Sequence, residues 1–291
     1  MQTVQNNKLK VVVSPVAAEL RSIKDSEGHE YLWQGSTDYW KRQAINLFPY
    51  IGRLTEGCYT YKGKRYEMNR HGFLPEIEMS VFDVSDDSVC YVLQENEKTL
   101  ASYPFPFELK INYILDENKI NILYQVINTG DEPMYFGIGG HPGFRVPLEE
   151  GLKFEDYYLE FAEKCTPTRI GMSETCYPNN TDRIYPLKDD KIIPLQHNLF
   201  DDDAIVLKKM SNKVTLKSDK GTKSISVQYP EMKYLGFWHT VKSDAPFICI
   251  EPWTSLPSRD GITEDISTQP DMICLDPGDK YTNSWMIRIN I

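Results

Sequence analysis

Positive charge is scarce in this chain: 32 Lys and Arg stand against 42 Asp and Glu, for a formal net charge of −10. Phosphate backbones and anionic lipid surfaces are held by clustered cations, and no Lys/Arg run here is longer than a pair. Neither nucleic acid nor a membrane is therefore expected as a partner, whereas a small neutral or weakly charged molecule is. Long apolar runs are also missing. The patch around Val11–Val13 is broken by Pro15 and ended by Glu19, which is too short for a secretory signal. Nothing approaches the roughly 18 apolar residues of a membrane span. The six cysteines form no C-x-x-C or other metal-ligand pair, so a reduced, cytoplasmic protein is expected. Sustained 3.6-residue periodicity, internal repeats and low-complexity linkers are equally hard to find.

Alternation with a period of two is plentiful. Cys58–Tyr61 and Arg65–Met68 flank a Gly-containing turn, Leu109–Leu115 and Ile120–Ile127 flank Asp-Glu-Asn-Lys, and Val214–Lys217 and Ser224–Tyr229 flank Ser-Asp-Lys-Gly. The chain closes on the alternating segment Trp285–Ile291. These segments carry the β-branched and aromatic residues that suit a pleated, half-buried surface, with turn residues at the right offsets. The 18 prolines fit loops and sheet edges better than helices. With 41% hydrophobic and 12% aromatic residues there is ample material for a core. The prediction is an all-β protein, one large antiparallel β-sandwich domain over residues 1–291, with helices of a single turn at most.

Four segments are dense in residues that are costly to bury without a purpose. In Phe48–Leu54, Arg53 follows a glycine within apolar surroundings; it is either a surface cation at a strand end or a donor of directed hydrogen bonds. In Asn69–Pro75, His71 sits before a glycine in a turn, where most histidines are structural. Gly137–Phe144 surrounds His141 with four glycines and a proline, a backbone with little packing value that lets a ligand come close. In Phe247–Thr254, strand alternation puts Phe247, Cys249 and Glu251 on one face and Ile248 and Ile250 on the other. A carboxyl ending such a strand is partly desolvated, which raises its pKa. Trp253 offers a flat surface to the ring of a ligand.

Taken in order, I-G-R-L at Arg53, R-H-G-F at His71, G-G-H-P-G-F at His141 and C-I-E-P-W at Glu251, the chain resembles the aldose 1-epimerase (galactose mutarotase) family, in its short bacterial branch. The resemblance implies a galactose mutarotase-like β-supersandwich with an open cleft, acting on a sugar without a cofactor or metal. It also implies that Glu251 is the general base at the anomeric hydroxyl and His141 the acid at the ring oxygen, with His71 and Arg53 positioning the sugar. A substrate-binding aspartate is implied among Asp201, Asp202 and Asp203; Asp203 is preferred because an apolar strand follows it directly. Where better-known members carry a further Asn-Arg pair after I-G-R, this chain has Leu54-Thr-Glu-Gly57, which leaves the identity of the sugar open.

The chemistry agrees with that set. Opening a cyclic hemiacetal removes a proton from the anomeric hydroxyl and delivers one to the ring oxygen, which a carboxylate and an imidazolium on opposite sides of the ring would do. A bell-shaped pH dependence would follow. Four rivals stand beside this reading. A silent sugar-binding protein would keep the cleft without turnover. A metal enzyme would use His71, His141 and Glu251 as ligands, although no H-x-H or H-x-D/E occurs. A calcium loop at Asp201–Asp203 would lack its usual following Gly and Glu. A hexose-6-phosphate mutarotase would need cations around the cleft, and Arg53, Arg70, Arg145 and Arg259 all lie near the motifs.

Overall fold

The computed structural model describes residues 1–290, and strands dominate it. Ile291, the end of the last alternating segment, lies outside the described residues. Two large sheets carry the architecture. The nine-stranded sheet runs Ile192–Pro194, Tyr157–Phe161, Lys213–Ser218, Ser224–Gln228, Lys280–Asn290, Lys119–Asn128, Phe107–Asp116, Ser88–Gln94, Ser80–Val84. The seven-stranded sheet runs Arg183–Ile184, Thr168–Arg169, Ile205–Lys208, Tyr234–Trp238, Phe247–Trp253, Gly139–Arg145, Ala44–Leu47. A three-stranded sheet over Gln2–Asp25 and two hairpin-sized ladders complete the set. Strand neighbours in both large sheets pair antiparallel, as expected for an all-β chain.

The three hairpins read from alternation are present. Phe107–Asp116 pairs along its length with Lys119–Asn128 across the two-residue turn Glu117–Asn118, and every second residue of both strands is buried. Glu117 takes φ 51°, as a tight hairpin turn of this length requires. The helices are short: one six-residue α-helix, Glu97–Ser102, capped by the Asn96 side chain, and 3₁₀ turns such as His197–Phe200. No helix of the described residues is long and apolar enough to cross a membrane.

The two sheets share their core. Leu109, Ile111 and Tyr113 from the nine-stranded sheet join Leu235, Phe237, Ile248 and Ile250 from the seven-stranded one in a single buried cluster. Each such side chain withdrawn from water contributes roughly 1.5–3 kcal/mol. Strand alternation then leaves the other face of the seven-stranded sheet to Ile45, Val206 and Trp253, a second apolar cluster, and to Phe247 and Cys249, a third. That outward face is where the cleft lies.

Candidate active site

Sheet register builds the floor of the cleft. Gly139 pairs with Trp253 and Gly143 with Cys249, which sets His141 opposite Glu251. On either side, Ile45 pairs with His141 and Gly236 with both Glu251 and Val206. One row across four strand pairings therefore reads Ile45, His141, Glu251, Gly236, Val206. Four of these five side-chain positions line a cavity of about 480 Å³, and the fifth is the glycine. His141 Nε2 lies 3.1 Å from Glu251 Oε2.

The glycines around His141 are there for space. A Cβ on Gly140 would meet the Trp285 ring of the opposite sheet at 2.4 Å, so this residue lets the sandwich close beneath the site. On the cleft side, a Cβ on Gly143 would crowd Trp40 at 3.1 Å. Trp40 stacks on the His141 ring with centroids 4.8 Å apart, while Trp238 meets it edge-on at 5.8 Å. Two indoles thus fix the plane of the imidazole.

His71 arrives from outside the sheet. Its backbone N–H donates to Gly52 O and its Nδ1 accepts from the Gly52 N–H at 3.1 Å, so Nε2 carries the ring proton. The residue is held at φ 66°, and Gly72 follows at φ 78° with no room for a Cβ, which would lie 2.1 Å from Phe48 O. A left-handed histidine is strained and persists only where its surroundings dictate it. Its ring meets His141 edge-on at 5.5 Å. Asp203 at φ 72° and Cys176 at φ 66° are two more left-handed cleft residues. The Asp203 carboxylate accepts from the Cys176 thiol and from the Ala204 N–H, and stands 3.8 Å from an Arg53 nitrogen.

Burial governs the charges. It pushes the Glu251 carboxyl well above its usual range, with Asp203 adding to the effect, and it lowers His141 to about 3. Burial, helped by His141, Arg70 and Arg53, also holds His71 well below its ordinary value. Burial therefore favours a state in which the pair holds one proton between its members, with both groups uncharged. His141 Nδ1 is buried without a hydrogen-bond partner among the described residues, and buried Glu251 Oε2 has no neighbour to bond beyond His141 Nε2. Buried polar atoms left in this state are ready for a ligand's hydroxyls.

All six residues singled out from the sequence, Arg53, His71, His141, Asp203, Glu251 and Trp253, line this one cavity. Several expectations need correction. His141 and Glu251 stand side by side, not on opposite sides of a ring, because adjacent strands carry them in register. Neither is held as an ion, because burial favours the neutral forms of both. Arg145 is exposed at a strand end outside the cleft, and Arg259 is bound by Glu264 at 2.7 Å; of the four arginines, Arg53 and Arg70 line the cavity. Among the described residues the group able to hold a metal ion is His141, Cys249 and Glu251, without His71 and without the Asp201–Asp203 run. Burial holds the thiol and the carboxyl of that group protonated, so a cation would have to displace both protons. Trp40, Met172, Cys176 and Trp238 were not identified from sequence. Period-two alternation of Tyr234, Gly236 and Trp238 was a usable signal for the last of them.

Relatives share this architecture. A family model described as aldose 1-epimerase matches residues 1–284. The plasmid and chromosomal forms of protein LacX from Lactococcus lactis subsp. lactis are each 36% identical over 261 residues, covering 87% of both chains. A galactose mutarotase related enzyme from Lactobacillus acidophilus superposes with a TM-score of 0.96 at 34% identity, covering 100% of this chain and 97% of that one. A galactose mutarotase-like protein from Lactobacillus casei gives 0.94 at 30% identity over 100% of both. Their fold is the galactose mutarotase-like one expected from the motifs. On its own match across nearly the whole length, this chain belongs to the aldose 1-epimerase family, isomerases that act on carbohydrates.

Proposed function

We propose that the cleft interconverts the α and β anomers of an aldohexose by general acid–base catalysis with the chain's own groups. The observation that carries this is the His141–Glu251 pair: two buried proton-transfer groups 3.1 Å apart at the floor of the cleft. The hydroxyl oxygen O1 and the ring oxygen O5 are bonded to the same carbon, so adjacent groups suit them better than opposed ones. Passage of the shared proton from Glu251 to His141 gives a carboxylate beside an imidazolium. Ring opening then moves the O1 proton to Glu251 and the His141 proton to O5, as the O5–C1 bond breaks and C1 becomes an aldehyde. The pair is back in its neutral form. Rotation about C1–C2 exposes the other face of the aldehyde, and the same transfers in reverse close the ring as the other anomer. General acid–base assistance of this kind contributes on the order of 100- to 10,000-fold.

The remaining residues serve binding. His71, uncharged and protonated at Nε2, donates to a sugar oxygen, and Arg53 and Asp203 hold hydroxyls. Trp253 supplies an apolar face, and its buried Nε1, without a partner among the described residues, is a further donor. Polarimetry of freshly dissolved α-glucose and α-galactose, with and without catalytic protein, tests the proposal. Faster decay to an unchanged final rotation supports it; no acceleration with any aldose or aldose phosphate refutes it.

A further inference from the structure

The cleft does not end at Asp203. Arg53, Met172, Cys176 and Asp203 line both the catalytic cavity and a second one of about 750 Å³ that continues from it. On its wall the short strands Thr168–Arg169 and Arg183–Ile184 pair antiparallel, with Arg169 directly opposite Arg183. Opposed residues of such a pair point to the same face with Cβ atoms about 4.5–5.5 Å apart, and like charges in that position destabilise it. The nearby acids relieve the conflict only at a distance, Asp202 favouring the charged Arg169 without pairing with it. Asp182 is engaged by Lys208 at 2.6 Å, and Asp203 by Arg53 and the Cys176 thiol. Glu174, Asp201 and Asp202 also line the cavity, yet among the described residues none comes within ion-pair distance of either arginine. Arg169 is moreover only partly exposed. Lys242 adds a third cation to the same cavity.

We propose that Arg169 and Arg183 form a phosphate subsite, so that the substrate is an aldose phosphorylated at the end remote from C1. This rests on the anomer-exchange reading of the catalytic cavity and names its substrate class. Two guanidinium forks side by side match the geometry of a phosphate dianion, which relieves their mutual repulsion. A neutral second sugar ring would leave the two cations opposed. A carboxylate attached directly to the sugar ring would stop short of this cavity, because neither arginine lines the one that holds the ring.

The test is exchange between anomeric protons followed by NMR, for glucose and glucose 6-phosphate side by side, with wild type and with Arg169→Ala/Arg183→Ala. A charge-assisted hydrogen bond is worth about 1.5–3 kcal/mol, or tenfold and more in affinity. The expected result is a kcat/KM at least about tenfold higher for the phosphate, with the ratio falling toward one in the double variant. Equal use of both sugars, or a ratio that the variant leaves intact, overturns the inference while the catalytic reading stands. If neither sugar is exchanged, the catalytic reading fails for glucose, and calorimetry of glucose 6-phosphate with both proteins decides the subsite alone. Binding that the double variant weakens at least about tenfold supports it, and equal or absent binding overturns it.

Discussion

Glu251→Gln separates the chemistry of the cleft from its packing. The residue is 1% exposed and differs from glutamine by one heteroatom, so the fold has no volume change to absorb. Turnover loses its proton acceptor and should fall on the order of 100- to 10,000-fold, about 3–5.5 kcal/mol of barrier. Stability should move the opposite way, with a pH dependence fixed by the raised carboxyl. Below the ordinary value of 4.5 both folded and unfolded chains hold the proton, and the wild-type glutamate carries no penalty. As pH rises past that value the unfolded chain ionises while the folded chain keeps its proton. The wild type then loses about 1.4 kcal/mol per pH unit until the folded-state pKa is reached. The glutamine variant escapes this loss. Urea denaturation should find the two proteins alike at about pH 4 and the variant increasingly the more stable as pH rises past 4.5 toward neutrality. A variant that turns over at the wild-type rate refutes the role of Glu251; one that gains nothing in stability at neutral pH refutes the buried, protonated carboxyl.

Three further outcomes are expected. The rate profile should be wider than the bell of unperturbed groups, because burial moves the acid limb down to the region of His141, about 3, and the alkaline limb up with Glu251; an acid limb near the ordinary imidazole value in the kcat/KM profile would contradict the neutral pair. Gly72→Ala should destabilise the protein by about 2–4 kcal/mol in denaturant titration and raise KM, since its Cβ collides with Phe48 O and displaces His71; an unchanged KM would remove His71 from the binding role. Asp203→Asn should raise KM about tenfold or more with kcat nearly kept, whereas Asp201→Asn should leave both alone; equal effects would mean that the acidic run acts only through its charge.

What could be read from the sequence is what lies within one element. The Phe107–Asn128 hairpin is visible because alternate burial and a two-residue turn are both local signals. The G-G-H-P-G-F motif stands out because Gly140 and Gly143 give way to Trp285 and Trp40, side chains from remote parts of the chain that press on that strand. The contact itself was not legible. Trp40 carries no motif, and it stacks on His141 only because the fold brings residues a hundred positions apart together. Sequence proximity also misled. Arg145 follows His141 by four residues but ends its strand in solvent, and Arg259 is taken by Glu264 five residues further on. The opposed placement of His141 and Glu251 failed for a similar reason: only the pairing of Gly139 with Trp253 and Gly143 with Cys249 reveals that they are cross-strand neighbours. The opposition of Arg169 and Arg183 is likewise a property of register, invisible until two strands of two residues are seen to pair.

The central claim is that His141 and Glu251 together exchange anomers, and NMR saturation transfer on equilibrated aldoses and their 6-phosphates tests it most directly. Irradiating the α anomeric proton of the substrate in the presence of catalytic wild-type protein should deplete the β signal well beyond the spontaneous rate, and Glu251→Gln should abolish that transfer. Transfer no faster than in buffer for every sugar, or transfer that survives the substitution, would contradict the account.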